Sequence, residues 1–244
     1  MRSVENWRTL LAGPRELLAA ALAHAADAGD PQAMLHYGQC LLDGTGVARD
    51  PRAALAAFHD AARAGLPVAI NMVGRCLDQG WGAPALPGEA ARWFERAAAL
   101  GHDWGQYNLA SLLALGRGVP RDRPRALALF RRAAAQGHAK SSGMIGLFHE
   151  EGWVVPVNRT LAAHHYARAA EGGDFRGAFN HARMLLDAGR IDGAERWFDQ
   201  ARALAREAGN TRFLAQMATW LTAEGFTPIS ANANDLQEDM FASA

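Results

Sequence analysis

Small and apolar residues recur along this chain on a fixed ruler of 36 positions. Alanine pairs stand at Ala25-Ala26, Ala61-Ala62, Ala97-Ala98, Ala133-Ala134 and Ala169-Ala170. A glycine follows each pair at the same offset: Gly29, Gly65, Gly101, Gly137 and Gly173. A larger apolar residue precedes each pair (Leu22, Phe58, Phe94, Phe130, Tyr166). Further upstream runs a column of Gly38, Gly74, Ala110, Gly146 and Ala182. A period of this length marks stacked supersecondary units, none of which can bury its own apolar face alone.

Each unit reads as two helices, in the first copy Gln32–Leu42 and Pro51–Ala64. Asp50 is placed to cap the second helix. Pro51 takes the first helical position, where its missing N–H does no harm. Asp122 and Asn158 repeat the cap and Pro87 repeats the proline. Gly65 and its equivalents fall just past the helix end, where a left-handed residue is wanted. Between the helices run Gly44-Thr45-Gly46-Val47 and Gly116-Arg117-Gly118-Val119-Pro120. These lack the preceding strand and the Lys-Ser/Thr pair of a phosphate loop, so they read as turns. A mid-helix glycine costs ~1 kcal/mol relative to alanine. The Gly/Ala column is therefore expected to face a second-helix column of Ala54, Ala90, Ala126, Ala162 and Ala194, letting the two backbones approach closely.

Composition sharpens this picture. A chain of 244 residues could make one large domain or two small ones. However, 53 alanines supply much of the 50% hydrophobic share. Alanine favours helix and buries little area, and β-branched residues are few, so an all-α fold is expected. Lys plus Arg and Asp plus Glu are 25 each, so the net charge is zero and no field draws the chain to nucleic acid. Two cysteines exclude a disulfide-dense scaffold. No apolar run reaches the ~18 residues of a membrane span. Leu17–Ala26 could imitate a signal peptide, but Pro14, Arg15, Glu16 and His24 interrupt it. The ruler claims that stretch as the second half of a truncated repeat. A cytoplasmic location is expected, with an exported form of the same protein as the alternative.

The run Tyr107-Asn108-Leu109-Ala110, Gly116-x-Gly118-Val119-Pro120-x-Asp122, Ala126, Phe130, Ala133-Ala134 and Gln136-Gly137-His138-Ala139 closely resembles the Sel1-like repeat. The resemblance covers about residues 30–206. It implies a right-handed α-solenoid of stacked antiparallel helix hairpins, a tetratricopeptide-like superhelix. Five repeats are expected, at about 30–66, 67–102, 103–138, 139–174 and 175–206. N-terminal capping helices (1–29) would precede them. A capping helix at Thr211–Ala223 and a flexible acidic tail would follow within 207–244. Copy two departs in its loop, Trp81-Gly82-Ala83-Pro84. Copy four has Trp153 where the second loop glycine is expected. Copy five has lost four loop residues, since Phe198 lies 32 after Tyr166, and reads as a boundary unit.

As a family, Sel1-like proteins imply a bacterial, non-enzymatic adaptor that binds another protein or peptide, with no cofactor. The alternative is a metal-binding or enzymatic accessory, since some members are encoded beside iron-uptake genes. In such a solenoid the first helices line the concave face. Two columns there vary between copies while the packing columns do not: His36, Met72, Asn108, Met144, Asn180, and Gln39, Arg75, Ser111, Leu147, Arg183. Arg75 and Arg183 suit carboxylates, Asn108 and Asn180 suit a peptide backbone, and Met72 and Met144 suit apolar side chains. A solvated face that binds nothing stays open.

The remaining candidates read as structural. Cys40 and Cys76 share an apolar column and should be buried thiols, too far apart for a disulfide. The nine histidines show neither His-Glu-x-x-His nor a partnering Cys-x-x-Cys, and adjacent His164 and His165 diverge by about 100° on a helix. Glu150-Glu151 reads as a solvated helix end. Trp81 and Trp153 fall in loops and either pack over neighbouring units or mark a contact surface. Trp7, Leu10 and Leu11 would serve the N-terminal cap. Phe226–Ile229 could fold back on the last unit, and Leu236, Met240 and Phe241 could form a short binding motif in the tail.

Overall fold

The computed structural model describes residues 13–226, which carry twelve α-helices and no strand. In chain order these are α1 (Arg15–Asp27), α2 (Pro31–Asp43), α3 (Pro51–Arg63), α4 (Pro67–Gln79), α5 (Pro87–Ala99) and α6 (Asp103–Leu115). They continue as α7 (Arg123–Ala135), α8 (Ala139–Glu151), α9 (Arg159–Glu171), α10 (Phe175–Asp187), α11 (Ile191–Glu207) and α12 (Thr211–Ala223). Trp7, Leu10, Leu11, residues 227–229 and the tail residues Leu236, Met240 and Phe241 lie outside the described residues. The chain divides into two compact units, Met1–Leu129 and Phe130–Ala244. In the first, α1 packs on α2, α2 pairs with α3, α3 packs on α4, α4 pairs with α5, and α5 packs on α6. In the second, α8 pairs with α9, α9 packs on α10, α10 pairs with α11, and α11 packs on α12.

Local chemistry sets the helix ends. Asp50 accepts from the backbone N–H groups of Arg52 and Ala53, both at 3.0 Å, and Asp30 does the same for Gln32 and Ala33. Asn158, Asp174 and Asn210 cap α9, α10 and α12. Each cap satisfies an orphan N–H at the helix start. The loop pattern Gly-x-Gly has two separate causes. The first glycine is the left-handed helix end, with φ of 73° at Gly116 and its N–H bonded to the Leu112 carbonyl. The second permits close approach: a Cβ on Gly118 would stand 2.4 Å from the N of Gly88 and 2.5 Å from the carbonyl carbon of Pro87. The loop thus closes onto the start of α5, one repeat back.

In copy four the residue at the second-glycine position is Val154, not Trp153. Val154 carries φ of 58° and is the one non-glycine at positive φ among the described residues. A β-branched residue there is strained, because its Cβ crowds the backbone. Trp153 instead lies edge-on to Phe148, with ring centroids 5.4 Å apart. Trp81 lies under the Arg75 guanidinium, 5.3 Å from the ring centroid. Both loop indoles therefore pack on their own hairpins.

The core is the repeated aromatic column. Phe58, Phe130, Tyr166 and Phe198 are fully buried, and so is the alanine column at Ala54, Ala90, Ala126, Ala162 and Ala194. The Gly/Ala column meets the aromatic ring more than the opposite alanine. A Cβ on Gly74 would stand 2.6 Å from two Phe94 ring atoms, and one on Gly146 would stand 2.8 Å from Tyr166. A second small column lies between hairpins, where a Cβ on Gly177 would meet the Ala169 Cβ at 2.4 Å.

The shortened fifth copy keeps register by another route. Its loop lacks four residues, yet α11 has 17 residues where its neighbours α10 and α12 have 13. As a result α12 starts at Thr211, 36 positions after Phe175, and stands as a sixth first helix. Phe175, Phe198, Phe213, Met217 and Leu221 bury together with α12, and Trp220 and Phe226 pack against them. Phe226 does fold back, its ring 5.3 Å from Phe198.

Candidate protein-binding face

The two variable columns rise from the first helices, and the structure gives each residue a distinct environment. In the first unit, His36 and Gln39 are exposed on α2. Gln39 Nε2 donates to Asp43 Oδ2 at 2.6 Å. Both border a hollow of about 550 Å³ floored by Leu18 and Leu22 of α1 and by Ala33 and Cys40 of α2. Met72 is only 6% exposed, so it supports the face from beneath and offers little contact of its own. Arg75 is half-buried. Its Nη1 lies 3.4 Å from the Met72 sulfur and its guanidinium sits over Trp81.

Asn108 Nδ2 donates to Asn71 Oδ1 at 2.9 Å, tying α6 to α4. Asn71, buried at 4% exposure, is hidden in a column that holds Leu35, Tyr107, Gly143 and Phe179 elsewhere. A lone polar residue in an apolar column was the available signal. Ser111 turns its hydroxyl back onto the Tyr107 carbonyl at 2.9 Å, a common use of serine inside a helix.

In the second unit, Met144, Leu147, Asn180 and Arg183 are all half-buried. Arg183 donates from Nη2 to both carboxylate oxygens of Glu150, at 2.7 and 2.8 Å. Tyr166 donates its hydroxyl to Glu150 Oε2 at 2.7 Å. Burial first, and then the bond to Glu150, push the Tyr166 hydroxyl well above the ordinary phenol range, so it stays protonated. Glu150 is therefore not a solvated helix end: Arg183 neutralises it and Tyr166 donates to it, because a carboxylate at 16% side-chain exposure needs partners. Glu151, its neighbour, is exposed.

Cys40 and Cys76 are buried and unpaired, and burial raises the Cys76 thiol to about 11, leaving little thiolate at neutral pH. Among the described residues no three His, Cys, Asp or Glu side chains stand together to hold a metal ion. No described helix is long and apolar enough to cross a membrane. Trp93 and Trp197 meet imidazole edges at His59 and His181.

His149 and His165 stack in parallel with centroids 5.9 Å apart, and the Nδ1 atoms of both are buried without a hydrogen-bond partner. Burial, then the neighbouring His164, His149, Arg168 and Arg131, push His165 down to about 4. The fold thus favours neutral imidazole, whereas an unfolded histidine titrates near ~6.5. The stabilisation is present above ~6.5 and is lost as pH falls toward 4. Asp174, raised by burial, works in the opposite direction. The readout is therefore the difference between parent and His165→Gln in thermal unfolding at pH 7, 5.5 and 4.5. The parent should lose melting temperature more steeply on acidification, and parallel slopes would remove His165 from the pH response.

The Sel1 repeat model matches residues 31–66, 67–102, 105–138 and 142–174, more than half of the chain. The crystal structure of a Sel1 repeat protein from Oxalobacter formigenes is similar over 99% of this chain and 100% of its own, with a TM-score of 0.81 and 25% identity. A protective antigen of uropathogenic Escherichia coli strains, displaying an SLR fold, superposes with a TM-score of 0.67 at 22% identity, over 94% of this chain and 49% of its own. An immunity protein of Pseudomonas aeruginosa superposes with a TM-score of 0.56 at 19% identity, over 78% of this chain and 75% of its own. These last two likenesses concern the fold alone. No curated protein matches the chain in sequence.

Proposed function

The chain belongs to the Sel1 repeat family, an α-solenoid family generally used as protein-interaction scaffolds, and from that premise we propose that it binds a protein or peptide segment along its first-helix faces. The observation that carries this reading is a contrast inside one chain. The packing columns stay small or aromatic and buried from copy to copy. The face columns change from His36 to Asn108 to Asn180, and from Gln39 to Arg75 to Leu147, at positions that reach solvent. Packing does not dictate those residues, which leaves recognition to choose them.

The protein acts as an adaptor without chemistry of its own. In support, three polar groups on the face are tied off in separate pairs (Gln39 with Asp43, Asn108 with Asn71, Arg183 with Glu150) instead of converging on one point where a substrate atom could sit. The test is capture of partners by the full chain. Partners recovered with the parent should fall about tenfold with His36→Glu or Asn180→Lys, a loss of ~1.4 kcal/mol. They should survive Arg92→Glu on the exposed side of α5. Partners that persist through both face variants, or that vanish equally with Arg92→Glu, would refute the face.

A further inference from the structure

Resting on that reading, we propose that the partner presents an aspartate or glutamate side chain, and that Arg75 is the residue that receives it. Two arginines stand in the same face column and differ in their partners. Arg183 on α10 reaches back 33 residues to Glu150 on the preceding first helix, where its Nη2 donates to both carboxylate oxygens. The residue 33 before Arg75 is Leu42, which is buried and carries no charge. No carboxylate among the described residues pairs with Arg75. The described residues supply one arginine with its own counter-ion and leave the other without one.

Arg75 is also held ready. Its guanidinium is over the Trp81 ring, 5.3 Å from the centroid, and its Nη1 touches the Met72 sulfur at 3.4 Å. These contacts restrain a side chain that would otherwise lose rotamer entropy on binding, and they leave Nε and Nη2 as donors for a carboxylate. The arrangement also accounts for Trp81, whose loop departs from the repeat pattern. The indole is spent on a single cation, and an aromatic support is what a half-buried, unpaired guanidinium needs.

The two arginines therefore divide the labour. Arg183 with Glu150 and Tyr166 is a closed, neutral knot inside the second unit, and Arg75 is an open cation on the face of the first. The test is selection of random dodecapeptides, displayed with their C-termini blocked, on the full-length parent, on Arg75→Gln and on Arg75→Glu. The parent pool should enrich Asp or Glu at one position about tenfold or more, as a charge-assisted hydrogen bond requires. The enrichment should disappear with Arg75→Gln and turn to Lys or Arg with Arg75→Glu, while circular dichroism shows both variants folded. A parent pool without an acidic position, or one unchanged by Arg75→Gln, overturns the anchor and leaves the binding face standing. No selected pool at all overturns the face itself, and the anchor with it.

Discussion

Leucine at Gly38 should destabilise the protein by about 3 kcal/mol, the upper end of what overpacking usually costs. A Cβ there would already stand 2.7 Å from Phe58 Cε1, 2.9 Å from Phe58 Cδ1 and 3.3 Å from the Ala54 carbonyl. Phe58 is fully buried and cannot swing into solvent to make room. The remaining leucine atoms must then displace α2 from α3. Gly38→Ala should fall between parent and Gly38→Leu. The repeat itself accepts alanine at Ala182, where the aromatic partner Phe198 is likewise buried. For a chain of this size the leucine variant should melt roughly 6–12 °C lower. A parent-like melting curve would mean that Gly38 does not face the aromatic column.

Removing Arg183 should cost about 2–3 kcal/mol by chemical denaturation, less than the 3–5 of a fully buried pair because both partners keep some solvent contact. Arg183→Ala leaves Glu150, at 16% side-chain exposure, with only the Tyr166 hydroxyl to satisfy a full charge. Arg183→Glu should be worse, since two carboxylates would share that space. The double variant Arg183→Leu with Glu150→Leu should recover most of the loss, because apolar replacement of a buried pair is often neutral or better. One other copy is apolar at both equivalent positions, Ala114 and Leu147. Arg75→Gln, by contrast, should leave stability nearly unchanged. If Arg183→Ala were as stable as its parent, the knot would hold nothing together, and the division between the two arginines would fail.

Much of the fold was legible without coordinates. Asp50 followed by Pro51, a glycine after each alanine pair and the 36-residue ruler each have one local meaning, because caps and helix ends are decided within a few residues. The candidate face was legible as a set of positions and not as chemistry. Column arithmetic places Arg75 and Arg183 as equals, whereas their partners come from another helix 33 residues away, where one copy has Leu42 and another Glu150. Asn71 was hidden for the same reason: the partner of this buried asparagine, Asn108, comes from the next first helix. The fifth copy is short in its loop alone, and the compensating turn lies inside α11, which no loop position reveals.

Sequence alone determined the helices, their pairing into hairpins and the small columns where they touch, since these follow from periodicity and from residues that admit few backbone states. Tertiary structure alone decided which polar groups are already spoken for. Whether a guanidinium is tied or open depends on what the neighbouring hairpin brings within 3 Å, and a repeat sets that distance without setting the residue that fills it.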